Sequence, residues 1–182
     1  MRVVFIGWNP PKPYRGFWFL DEHDNLRGEL HTVLLRLRRV TAHAPDGWFL
    51  EEFLEAGYYF VHAVKCWAKA KYPGFGRGAV PRDRRNIGEP LARACAAAHL
   101  CEELRRLAPK RVCALGELAY CALRALQPDL DPKARPTEGR RFELSVDGIN
   151  VPLLYTSFPS SSPVRGRQLR DFTRGHLEEF LA

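Results

Sequence analysis

The chain opens on a continuous apolar run. Arg2 to Ile6 is largely β-branched and aromatic and stops at Gly7, which predicts a buried strand that hands over to a loop. Trp8 to about Asn25 is rich in proline, glycine and aromatic residues and reads as one long loop. From Leu26 the spacing becomes helical, with Leu26, Leu30, Val33, Leu34 and Leu37 on one face. Trp48 to Ala56 predicts a second helix closed by Gly57, and Tyr58 to Val64 a second strand. Trp67 to Pro90 reads as a surface excursion, because Pro73, Gly74, Gly76, Gly78 and Pro81 deny it a regular helix. Leu91 to Leu107 returns to a strong helical pattern closed by Pro109. A third strand follows at Arg111 to Leu115, then the Gly116 turn and a helix over Glu117 to Leu126. A loop with Pro128, Pro132 and Pro136 leads into a hairpin, Phe142 to Val146 and Val151 to Tyr155 around Asp147-Gly148. Arg167 to Leu181 predicts the last helix.

Strands that alternate with helices of this length imply an α/β fold, a central and mostly parallel sheet covered by helices on both faces. In such sheets a ligand sits outside the carboxyl ends of the strands. Four segments are thereby selected: Gly7 to Pro11, His62 to Trp67, the Gly116 turn, and Thr156 to Arg165.

Composition narrows the class. With 182 residues, 46% of them hydrophobic, the chain is long enough for one domain, 1–182, with a real core, which excludes disorder as its main state. No apolar run approaches the roughly 18 to 20 residues of a membrane span, and the Val3 to Ile6 run is too short for a signal-peptide core. A soluble, cytoplasmic monomer is expected. The 28 basic residues outnumber the 21 acidic ones for a net charge of +7, and only six are lysine, leaving 22 arginines whose planar fork suits phosphate. The cations gather at Lys69, Lys71, Arg77, Arg82, Arg84 and Arg85, and again at Arg165, Arg167 and Arg170. That distribution makes nucleic acid a candidate partner. Five cysteines without a C-x-x-C pair argue against a disulfide framework or a zinc knuckle.

Each selected segment carries its own chemistry. In Gly7-Trp8-Asn9-Pro10-Pro11 the prolines stiffen a turn that presents Asn9, whose amide could orient a water or bind a base edge; an Asn-Pro pair is also an ordinary turn. His62 sits near the exit of a buried strand and offers one donor and one acceptor, although a strand histidine is more often a satisfied core residue. Thr156-Ser157-Phe158-Pro159-Ser160-Ser161-Ser162-Pro163-Val164-Arg165 is a stiff polar loop with hydroxyl donors for phosphate oxygens. There is no G-x-x-x-x-G-K-[ST] loop, no G-x-S-x-G elbow, and no G-x-G-x-x-G after the first strand. Triphosphate, serine-hydrolase and dinucleotide chemistry are set aside.

Together these segments resemble the uracil-DNA glycosylase superfamily over nearly the whole chain. Val3-Val4-Phe5-Ile6-Gly7-Trp8-Asn9-Pro10-Pro11 is similar to its first motif, in the Asn-Pro form of the mismatch-specific and single-strand-selective branches. Phe60-Val61-His62-Ala63-Val64-Lys65-Cys66 and Leu107 to Ala119 resemble stretches of the thermophilic branches. The resemblance implies a three-layer α/β/α sandwich, and it implies that Asn9 positions the hydrolytic water. It places Phe17, or Trp18 or Phe19 beside it, against an extruded base, with Trp8 also lining the base site. Ser160, Ser161, Ser162, Arg165 and Arg167 would hold the DNA backbone. His62 stands where the family has its base-reading asparagine, and Phe158 where many members have histidine.

The thermophilic branches also carry a four-cysteine iron-sulfur cluster. Cys66 matches one ligand and Cys95 lies one residue from another, while the chain begins at the first strand, so no cluster, other metal or cofactor is expected. The implied activity is hydrolysis of the N-glycosidic bond of a deaminated or mismatched base, uracil with hypoxanthine and xanthine as further candidates, in base excision repair. Two alternatives remain open. One is a DNA-binding member of the same fold that does not cut; the other is a hydrolase of free nucleosides.

Overall fold

A computed structural model describes residues 1–8, 17–18, 25–41, 46–65, 90–158 and 166–182. Five strands form one sheet: β1 (Val3–Gly7), β2 (Tyr58–His62), β3 (Arg111–Leu115), β4 (Arg140–Val146) and β5 (Ile149–Thr156). Their spatial order is β2-β1-β3-β5-β4, with every pairing parallel except β4 against β5. The helices are α1 (Asn25–Arg36), α2 (Asp46–Glu55), α3 (residues 90–107), α4 (Glu117–Leu126) and α5 (Gly166–Leu181). Neither the sheet nor the helix order departs from the α/β expectation.

The alternation of side chains along each strand divides the core in two. Val4, Ile6, Val112, Ala114, Leu153 and Tyr155 face α3 and α4. Val3, Phe5, Cys113, Leu115 and Leu154 face α1, α2 and α5. Both faces of β1 and β3 are buried, which explains why these parallel strands read as unbroken apolar runs. The helical face anticipated for α1 is the buried one, with Leu30, Val33 and Leu34 fully enclosed. On the opposite layer, the Tyr120 ring of α4 lies flush on Tyr155 of β5, centroids 4.0 Å apart and planes 3° from parallel. This contact seats the start of α4 against the carboxyl end of β5.

Three details differ from the sequence pattern. The middle of α3, Ala96–Leu100, is a π-helical turn between α-helical flanks, a break in hydrogen bonding that an Ala-rich run does not announce. A 3-10 turn at Pro136–Glu138 interrupts the proline loop. The hairpin strands run longer than expected and leave only Asp147 and Gly148 as its loop, both at positive φ (48° and 79°), as a tight two-residue turn requires.

Candidate active site at the strand ends

The path of the chain creates the site. After β1 it passes through α1 and α2, on one face of the sheet, to β2; after β3 it passes through α4, on the other face. Adjacent strands β1 and β3 therefore send their connections in opposite directions, which makes their carboxyl ends the switch point at which such sheets form a ligand crevice. Gly7, Leu115 and Gly116 lie at that point, with His62 on one flank and Thr156 on the other.

The β1 end is held firmly. The Ala63 amide donates to the Gly7 carbonyl (2.8 Å) and the Val64 amide to the Trp8 carbonyl (2.7 Å), so ladder-like bonding continues past both strands. Asn9 leaves from this fixed position and itself lies outside the described residues. Gly7 has a packing reason to be glycine, since a Cβ there would stand 2.5 Å from the Phe60 Cζ. The Phe60 ring occupies that space and connects the neighbouring parts of the site. Phe17 stacks on it with centroids 4.6 Å apart, and His62 meets it edge-on at 4.9 Å and 87°. Trp18 fixes the segment in place by donating its indole N–H to the Phe60 carbonyl (2.9 Å).

Phe17 is thus a buried residue, 1% exposed, with Phe53 and Trp18 also against its ring. His62 is partly buried, and its Nδ1 is enclosed with no hydrogen-bond partner among the described residues. Burial, reinforced by the nearby Lys65 ammonium, pushes its pKa down to about 4, so the ring is neutral at pH 7. Lys65 is in turn ion-paired with Glu103 of α3. A neutral imidazole has one N–H and one lone pair, on opposite sides of the ring. It offers a single hydrogen bond to a base edge where an asparagine amide offers two.

On the other flank, the Gly116 amide donates to the Thr156 carbonyl (2.8 Å). Gly116 adopts φ +88°, and a Cβ there would stand 3.3 Å from the Phe158 Cβ. Two α5 side chains clamp the chain leaving β5: Thr156 Oγ1 lies 2.8 Å from His176 Nδ1, and the Thr173 hydroxyl donates to the Ser157 carbonyl (3.1 Å). Neither contact is signalled in the sequence, because the partners are a strand and a helix whose pairing depends on the tertiary fold. Phe158 is 42% exposed.

The structure brings Phe17 and His62 together around Phe60, whereas the Trp8 side chain packs with the α3 and α4 layer on the other face of the sheet. Phe19, Ser160, Ser161, Ser162 and Arg165 lie outside the described residues, as does the side chain of Arg167, whose backbone is in the first turn of α5. The basic excursion also lies outside them. A four-thiolate cluster does not fit the cysteines that are described: Cys113 packs on the α1, α2 and α5 side of the sheet, whereas Cys95 and Cys101 pack on the other. Among the described residues no group of three or more His, Cys, Asp or Glu could hold a metal ion.

A doubly wound sheet with a topological switch point between β1 and β3 places the chain among the α/β proteins, whose ligands bind at that point. A family model for the uracil DNA glycosylase superfamily matches residues 1–180, and the chain belongs to that superfamily. This is a superfamily of DNA glycosylases, enzymes of base excision repair that act on DNA. No curated protein matches the sequence.

Proposed function

We propose that the protein is a monofunctional DNA glycosylase that hydrolyses the N-glycosidic bond of a deaminated or mismatched base, working as a cytoplasmic monomer without metal or cofactor. The observation that carries this reading is the meeting of the β1 exit, His62 and Phe17 around one ring, Phe60, at the switch point of a sheet from this superfamily. In this reading a nucleotide leaves the helix and its base enters the crevice, at a cost of a few kcal/mol in lost stacking and pairing. Trp8 and Phe19 form the apolar wall, Phe17 backs it from the core through Phe60, and His62 gives the base edge one hydrogen bond. Asn9 orients a water for attack at the anomeric carbon; a C–O bond forms as the C–N bond breaks, the base leaves with its bonding electrons, and the proton lost by the water ends on the departing base. Ser160, Ser161, Ser162, Arg165 and Arg167 hold the flanking phosphates, offsetting the extrusion cost through charge-assisted contacts.

A single contact from His62 reads less of the base than an amide would, which supports a substrate range that includes hypoxanthine and xanthine beside uracil. Base release from oligonucleotides carrying uracil, hypoxanthine, xanthine or a G·T mismatch, followed by alkaline strand cleavage, tests this. Release of at least one of them is expected, and release of none refutes it.

Phe158 favours a second reading. Phenylalanine cannot donate a hydrogen bond to a departing base, so the pocket would lack that electrophile. A member of the fold that binds damaged or single-stranded DNA without cutting would show salt-dependent binding and no base release in the same assay.

A further inference from the structure

Phe158 is one of the few large apolar side chains that the described residues leave in solvent, and it stands at the carboxyl end of β5 beside the crevice. Its surroundings make the position rigid. The preceding residues are tied to α5 through Thr156 and His176 and through Ser157 and Thr173, and to β3 through the Gly116 amide. Gly116, lacking a Cβ, lets the Phe158 backbone and Cβ settle close against the start of α4. An exposed ring on a fixed backbone, at the mouth of a site where a DNA strand would lie, has the properties of a stacking platform: a flat apolar face whose point of attachment is already held in place.

We infer that Phe158 is a stacking surface for an unpaired base of bound DNA. The inference rests on the reading that the strand-end crevice receives DNA. A ring contributes contact area without a donor or acceptor, so this contact is indifferent to which base it meets and acts on binding, with recognition left to the crevice. It also carries no charge, so its loss leaves the phosphate contacts and their counterion release intact.

The test uses the full chain and a single-stranded oligonucleotide containing 2-aminopurine, read by anisotropy for affinity and by fluorescence quenching for stacking. Phe158→Ala is expected to raise Kd by about 5- to 150-fold, the range that base–aromatic stacking spans. The same variant should relieve quenching and keep the slope of log Kd on log salt unchanged. Phe158→Trp should stay within about threefold of the parent, whereas Phe158→Leu, similar in apolarity but without a π face, should fall towards the alanine variant. Equal affinity of the alanine variant and the parent, or of the leucine and tryptophan variants, overturns the inference. These readouts need no turnover. A stacking effect without base release from any substrate would sink the glycosylase reading alone, and base release with an alanine variant that binds normally would sink the stacking surface alone.

Discussion

His62 provides a prediction whose magnitude follows from its surroundings. Enclosed at Nδ1, edge-on to Phe60 and near Lys65, its imidazole has a pKa of about 4 in the folded protein, against an ordinary 6.5. Well above pH 6.5 the ring is neutral in both folded and unfolded chains and its protonation does not affect stability. As pH falls from there towards 4, the unfolded chain takes up the proton first, so stability declines by up to about 1.4 kcal/mol per pH unit. Over the whole window the loss from this one group is roughly 2 to 3 kcal/mol. Burial also lowers the pKa of His176, which adds a loss of the same sign on acidification. The comparison is therefore between the parent and His62→Asn in urea unfolding across that window. The variant should lose less stability on acidification, and the difference between the two curves should grow steadily as pH falls. A histidine NMR titration should show one ring still neutral at about pH 5. Parallel stability curves, or a His62 that titrates near its ordinary value, would refute the reasoning.

Two further substitutions probe the scaffold. Gly7→Ala drives a methyl into Phe60, which is 1% exposed and backed by Phe17, so stability should fall by about 1 to 3 kcal/mol in chemical denaturation; an unchanged midpoint would mean the ring has room to move. Arg174 of α5 pairs with the nearly buried Glu29 of α1 (2.6 Å), and Arg174→Ala should cost about 2 kcal/mol and several degrees of Tm. The exposed Arg36–Glu178 pair joins the same two helices. Arg36→Ala should cost under about 1 kcal/mol, and equal losses for the two variants would mean that burial does not set the strength of these pairs.

The fold was readable because β1, β3 and the second half of β5 bury both faces, so their residues form apolar runs distinct from the spaced pattern of α1. The crevice was readable for a related reason: a βα alternation assigns it to the strand ends before any side chain is placed. The π turn in α3 was hidden, since a helix that gains a residue per turn keeps the same composition. Phe17 shows a different limit. In the sequence it is one of three adjacent aromatics in a loop; its burial comes from Phe60 and Phe53, residues that the sheet and α2 bring to it. The reason for Gly116 was equally invisible, because the side chain it makes room for, Phe158, follows it by some forty positions and meets it only through the pairing of β3 with β5.

The central claim is that Asn9, leaving the locked end of β1, positions the water for base hydrolysis. Single-turnover base release on the best of the four lesion substrates, parent against Asn9→Ala, tests it most directly. The parent should release base measurably and the variant about 100-fold or more slowly, with DNA affinity retained. Release that proceeds at the parent rate without the Asn9 amide would contradict it.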